Sequence, residues 1–253
     1  MTNKPAATDD ELAFLADYDA SRYPRPSVAV DVVLLTVRDG GVSALLGRRE
    51  DHPHRGRWAL PGGFLRIDES LDAAAHRVLR SKARLRDAFT EQLYSFGSPN
   101  RDPRTRVISV AYYALVEPAA LDRAAAARAG AGLILARLDV PWPGETGGPV
   151  AALDPDGTPL PLAFDHADIL GMAVKRIRGK LDYAPIGFEL LPRAFSLRDL
   201  RLVHEAILGR PLNKDSFRRR ILDRGLVVPT GERAAGVGHR PPELYRFADR
   251  SAD

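Results

Sequence analysis

Apolar positions follow two rhythms along this chain. Val28 to Val37 (VAVDVVLLTV) is a nearly continuous run of aliphatic and β-branched residues, the pattern of a buried strand, and the YPRPS segment before it forbids helix around Pro24 and Pro26. An Asp39-Gly40-Gly41 turn then predicts a hairpin partner over Val42 to Gly47. A second long strand is expected from Arg106 to Val116 after the loop that begins at Leu93. Helical spacing marks other stretches. Asp10 to Asp19 reads as a short helix with acidic residues where the helix dipole favours them. Leu162 to Gly179 repeats Ile169, Met172, Ala173 and Ile177 on one face, with Asp165 as a cap. The Ala-rich segment Glu117 to Ala136 is expected to be helical, Asp139 to Thr158 to be irregular, and Leu181 to Leu191 shows no period.

Past Pro192 the organisation changes. Ser196 with Asp199 three residues on forms a capping-box pattern, and Leu200, Val203, Ile207 and Leu208 line one face until Gly209. A second helix is predicted over Lys214 to Asp223, ended by Gly225, with Phe217 and Ile221 turned together toward a core. Two short strands follow, Leu226 to Pro229 and Leu244 to Phe247, separated by a Gly-rich basic loop. The order helix, helix, strand, loop, strand is that of a winged helix-turn-helix.

Composition sharpens this picture. The chain has 253 residues, 45% apolar and 28% charged, no cysteine, and no apolar run approaching a membrane span. Its first residues lack a basic start followed by an apolar stretch, so a cytoplasmic protein is expected. From Phe195 to Asp253 there are 12 Lys/Arg against 8 Asp/Glu, a difference equal to the whole net charge of +4. Excess positive charge collected in one small segment points toward nucleic acid. The surfaces expected to meet double-stranded DNA are Asn213, Lys214, Ser216, Arg218, Arg219 and Arg220 on the second helix, and Arg233, His239 and Arg240 in the wing.

The stretch from Trp58 to Leu85, WALPGGFLRIDESLDAAAHRVLRSKARL, carries the chemistry of the first half. Laid from Gly63, it fits the frame of the Nudix box, G-x5-E-x7-R-E-U-x-E-E-x-G-U, where U is aliphatic: Glu69 and Arg77 occupy the first Glu and the Arg. The three following Glu positions hold Val78, Ser81 and Lys82, and the Gly position holds Arg84. On a regular helix residues 78, 81 and 82 share a face, the one that holds Mg2+ in a Nudix hydrolase. Val78 has no ligand atom and Lys82 repels a divalent cation, so neither a metal nor a catalytic residue is expected. Such a face could instead hold an anion, with Lys82 standing where a metal would neutralise a diphosphate. Arg48 and Arg49 are expected near the cleft mouth, with Trp58, Gly62, Gly63 and Glu69 around the ligand. Arg101, Asp102 and Arg104 lie on a Pro-stiffened turn, where two guanidiniums could grip a diphosphate or pair with nearby acids.

Taken together, these residues resemble the NrtR family of Nudix-related regulators of NAD metabolism. The likeness runs through YDASRYPRPSVAVDVVLLTV, WALPGGFL, RDPRTRVISVAYYAL, ILGRPLNKDSFRRRIL and GVGHRPPELYRF. It implies an α+β chain: a Nudix-like α/β/α sensing domain over residues 27–160 after an N-terminal helix and arm (1–26), a connecting helix and linker (161–193), and a winged helix-turn-helix over 194–253. It also implies a homodimeric repressor of NAD biosynthesis or salvage genes that needs no cofactor. ADP-ribose, or a related nucleotide, would release it from a palindromic operator. The alternatives are a Nudix hydrolase with a divergent metal site that depends on Glu69, and a winged helix that binds RNA or a protein. In the wing, Gly238-His239-Arg240-Pro241 departs from the family's Gly-Arg-Pro.

Overall fold

The structure, a computed structural model, describes residues 8–85, 88, 90–126, 132–181, 184–234 and 241–248. A short helix α1 (Asp9–Asp17) precedes the long apolar run, which forms β1 (Ser27–Arg38). β2 (Gly41–Arg48) returns antiparallel, with Arg38 opposite Gly41. Asp39 and Gly40, at φ 49° and 72°, make the two-residue left-handed turn whose twist suits a hairpin. Two short strands, β3 (Trp58–Ala59) and β4 (Gly62–Phe64), pair with β2 and β1. α2 (Leu71–Val78) starts at the Ser70 cap and passes into a π-helical turn, Leu79–Ala83. β5 (Thr90–Phe96), β6 (Val107–Leu115), α3 (Pro118–Ala126), β7 (Leu133–Asp139), β8 (Ala151–Leu153) and β9 (Pro159–Leu160) complete the first half. The sheet runs β5-β6-β1-β2-β7-β8-β9, with β1 parallel to β6.

Three expectations change here. Asp139 to Thr158 is not irregular throughout, since Ala151–Leu153 forms β8 on the edge of β7. The Ala-rich segment is not one helix: α3 is described over Pro118–Ala126, but Leu133–Asp139 is a strand because it completes the hydrogen bonding of the free edge of β2. Residues Leu93 to Phe96, read as loop, belong to β5, where Tyr94, Ser95 and Phe96 pair with β6 beyond a bulge at Leu93.

Alternation along the strands builds two packing layers. Val32, Leu34, Tyr112 and Ala114 face Ala74, Ala75 and Val78 of α2 and Leu121 of α3. Val33, Leu35, Ala111 and Tyr113 face the other way, into a core that includes Ile169, Ala173, Val174 and Ile177 of α4 (His166–Lys180). That core does not stop at Pro192. It continues through Leu200, Val203 and Ile207 of α5 (Leu197–Leu208), Phe217 and Ile221 of α6 (Lys214–Asp223), and into the hairpin of β10 (Val227–Arg233) and β11 (Glu243–Phe247). α5 has its capping box, Ser196 with Asp199, and ends at Gly209 with φ 68°. A bridge between Phe195 and Tyr245 ties the start of α5 to the wing hairpin. Among the described residues no helix is long and apolar enough to cross a membrane.

Candidate functional site

The cleft is organised around a carboxylate in the middle of the apolar β1. Asp31 is buried; it accepts a 2.5 Å hydrogen bond from the Ser109 hydroxyl, and the Arg101 guanidinium lies 3.6 Å away. Arg101 spends its fork on Asp165, with Nε and Nη2 donating at 2.8 and 2.6 Å. Burial opposes the Arg101 charge, but the bonds and charge of Asp165 outweigh it and raise the pKa. Asp165 does stand at the N-cap of α4, yet its carboxylate makes no capping bond, because Arg101 takes it. His166 begins α4 fully inside the protein. Its Nδ1 accepts the Leu60 amide at 2.9 Å, which leaves the neutral ring's proton on Nε2, 3.9 Å from Asp31. Burial lowers the His166 pKa and favours that neutral form. Gly62 has a steric reason: a Cβ there would lie 2.2 Å from Asp31 Oδ1.

Aromatic rings and cations form the cleft walls. Phe164 holds a left-handed backbone, φ 52°, which glycine adopts easily and a bulky residue does not. Its ring meets the Arg49 guanidinium at 4.9 Å and the edge of His54 at 4.8 Å. Arg104 lies 5.2 Å over Phe64 and donates to Asp102 at 3.0 and 2.7 Å, which lowers the Asp102 pKa. Both guanidinium forks meet carboxylates, Arg101 on Asp165 and Arg104 on Asp102, and both residues line the same cavity. Arg49 has its pKa lowered by burial and by neighbouring Arg104.

This cavity measures about 180 Å³ and takes in Arg49, Gly62, Gly63, Arg101, Asp102 and Arg104 of the expected set. Ligand pockets usually span about 300–1,000 Å³. It adjoins a second cavity of about 580 Å³ lined by Arg48 and Lys82, and the two share Arg49, Ala59, Leu60 and Gly62. Two expected residues reach neither. The Trp58 side chain packs against the core. Glu69 is bound by Arg77 and by the Arg66 amide, and Arg77 pulls its pKa from 4.5 to about 2. Residues 78, 81 and 82 do not share a face either. The π turn, closed by bonds that span more residues than α-helical ones, leaves Val78 in the core and Ser81 and Lys82 at the surface.

The second candidate surface is α6. Phe217 and Ile221 point inward, and Lys214, Ser216, Arg218, Arg219 and Arg220 are exposed. Asn213 caps the helix by accepting the Ser216 amide at 3.0 Å. The Arg220 guanidinium lies 5.6 Å over the Phe217 ring, and Arg218 lines a groove with Tyr245 of the wing. Arg233 sits at the end of β10 and donates to the Pro241 carbonyl at 3.1 Å. His239 and Arg240 lie outside the described residues.

Residues 187–247 match the family described as the NrtR DNA-binding winged helix domain, and residues 25–128 match the NUDIX domain. The ADPR responsive transcriptional repressor NtrR of Acinetobacter baylyi is 36% identical over 245 residues, which is 96% of this chain and 90% of that protein. The chain belongs to the NrtR family. Shewanella oneidensis NrtR complexed with a 27mer DNA has a similar structure, with a TM-score of 0.70 and 33% identity, covering 87% of this chain and 93% of that one. A MutT/nudix family protein from Enterococcus faecalis gives a TM-score of 0.73 at 25% identity, covering 96% and 94%.

Within this NrtR architecture the cleft holds side chains that sequence reasoning did not single out: Asp31, Phe64, Ser109, Phe164 and His166. Asp31 left a visible signal, since it is the one charged residue in VAVDVVLLTV. Phe164 and His166 flank Asp165 at the start of a helix, where only the fold shows that this end closes the cleft.

Proposed function

We propose that this NrtR-family chain is a transcriptional repressor that senses ADP-ribose, or a closely related nucleotide, in its Nudix half and binds operator DNA through α6 and the wing. The reading rests chiefly on one observation: α4 joins the two surfaces. Its first residues, Asp165 and His166, belong to the cleft network. About 18 Å along the helix, Arg178 donates to the carbonyl of Ile207 in α5 at 2.8 Å and to those of Trp142 and Gly144 at 3.1 and 2.9 Å. A cation on the C-terminal carbonyls of α5 is favoured by that helix's dipole, while burial lowers the Arg178 pKa. A ligand that shifts the start of α4 thus has a continuous packed route to the helices that carry the DNA surface.

The chain acts as a sensor rather than a hydrolase. Val78, the first of the replaced glutamates, is buried among aliphatic side chains, and the relative spanning nearly the full length carries the name of a repressor. It works as a homodimer whose two α6 helices reach successive half-sites of a palindrome, and its targets are genes of NAD synthesis or salvage. ADP-ribose releases DNA by favouring a dimer geometry that no longer matches the half-site spacing.

Fluorescence anisotropy of labelled DNA from upstream of neighbouring NAD-metabolism genes tests this reading. Selective binding over scrambled DNA is expected, with saturating ADP-ribose weakening it by about 5- to 150-fold. Selective binding that ignores ADP-ribose would remove the ligand from the reading. Release of AMP from ADP-ribose with Mg2+ at ordinary enzyme rates, lost in Glu69→Gln, would restore the hydrolase alternative.

A further inference from the structure

The second cavity is strongly cationic. Arg48, Arg49, Lys82 and Arg84 line it, opposed by Glu50 and Asp51. Arg48 and Arg49 donate to the carbonyls of Gly56 and Pro53. Among the described residues, the Lys82 and Arg84 side chains have no hydrogen-bond or ion-pair partner. Lys82 and Arg84 are also placed by two departures from a regular helix. The π turn Leu79–Ala83 separates Lys82 from the buried face of Val78. Arg84 then closes the turn with φ 55° and its amide on the Leu79 carbonyl. This is the position where the Nudix frame has glycine, the residue that enters the left-handed region without a Cβ clash. The chain keeps the backbone of that glycine but carries a guanidinium on it. Strained backbone and π turns gather where a side chain is needed in a particular place.

We propose that Lys82 and Arg84 form a metal-free phosphate-binding subsite, which holds the diphosphate of a nucleoside diphosphate ligand whose remainder lies along the Asp31 cleft. This rests on the sensing role proposed above and names the group that is sensed. The four cations exceed the two carboxylates by two, and a diphosphate diester carries one negative charge on each phosphorus, so the charges match. Arg49 lines both cavities and sits where the diphosphate would meet the rest of the ligand. Ammonium and guanidinium neutralise the phosphoryl oxygens without activating water, so the bond is held and not cut.

The test is calorimetric titration of the full chain in EDTA with ADP-ribose and with inorganic pyrophosphate, on wild type, Arg84→Gly, Arg84→Lys and Lys82→Ala. Arg84→Gly should lose about tenfold or more in affinity for both ligands while its melting temperature rises by about 2 °C or more, because glycine relaxes the left-handed turn. Arg84→Lys should keep part of the affinity. Wild-type affinity in both Arg84→Gly and Lys82→Ala, or ADP-ribose binding only when Mg2+ is added, would overturn the subsite. If wild type ignores ADP-ribose, the sensing role loses its ligand, but pyrophosphate binding that Arg84→Gly abolishes would still uphold the subsite. Absence of pyrophosphate binding as well would end it.

Discussion

In the cleft, Arg101 is buried with Nε and Nη2 on Asp165 and with Asp31 at 3.6 Å; on α6, Arg219 is exposed, and none of the described carboxylates pairs with it. The side chain is the same, but the first has its fork closed and the second has it open. A closed fork fixes the shape of a site, since removing it strands two carboxylates away from water. An open fork on an exposed helix is free to meet phosphate or a base edge, and removing it disturbs little else. Arg104, bidentate to Asp102 but partly exposed, stands between these extremes. In the Nudix half Arg101 and Arg104 thus have their forks on carboxylates, and the proposed phosphate subsite draws instead on the cavity lined by Arg48, Arg49, Lys82 and Arg84.

Arg101→Met gives the strongest challenge to this division. Breaking a buried ion pair from one side costs about 3–5 kcal/mol, so urea denaturation should show a loss of that size. A fully stable Arg101→Met that had lost ADP-ribose affinity would make Arg101 a ligand contact and collapse the contrast. Arg219→Ala should do the reverse. Its stability should stay within about 0.5 kcal/mol of wild type, while operator affinity falls by about 1–3 kcal/mol if Arg219 reads a base. If it contacts only phosphate, affinity should fall on all sequences and the salt slope should drop by about 1. Anisotropy at several salt concentrations separates the two cases.

The same contrast explains what could be read from the sequence. The C-terminal half is written in local signals: Ser196 and Asp199 cap α5, Gly209 ends it, and Phe217 and Ile221 fall four residues apart on α6. The cleft is written in distant ones. Ser109 is 78 residues from Asp31, Asp165 is 64 from Arg101, and His166 is 106 from Leu60. Spacing along the chain gives no hint of such partners, so the sequence alone leaves Arg101 between gripping a ligand and pairing with an acid. β7 was hidden for a related reason, because its strand character comes from pairing with β2 rather than from its own residues. The π turn was invisible because a heptad-like reading assumes constant pitch, and one wide turn moves Lys82 off the face assigned to it.

Glu69 carries the smallest expected effect, as a closed pair at the surface that the box frame had suggested for ligand binding. Its carboxylate takes Arg77 and the Arg66 amide, which lowers its pKa from 4.5 to about 2. A carboxylate depressed in the folded state adds stability above its unfolded pKa and loses it as pH falls toward the folded value. Glu69→Gln should therefore be less stable than wild type at pH 7, and the gap between them should narrow only below about pH 4.5, where the carboxyl of the unfolded wild-type chain begins to take up its proton while the folded one stays charged. Thermal melts of both proteins from pH 7 to 3.5 measure that gap. Because Glu69 lines neither cavity, ADP-ribose affinity at pH 7 should be the same in both. A gap that stays constant with pH would mean that Arg77 does not hold Glu69 as a charged pair, and a drop in ligand affinity would move Glu69 from the closed set to the open one.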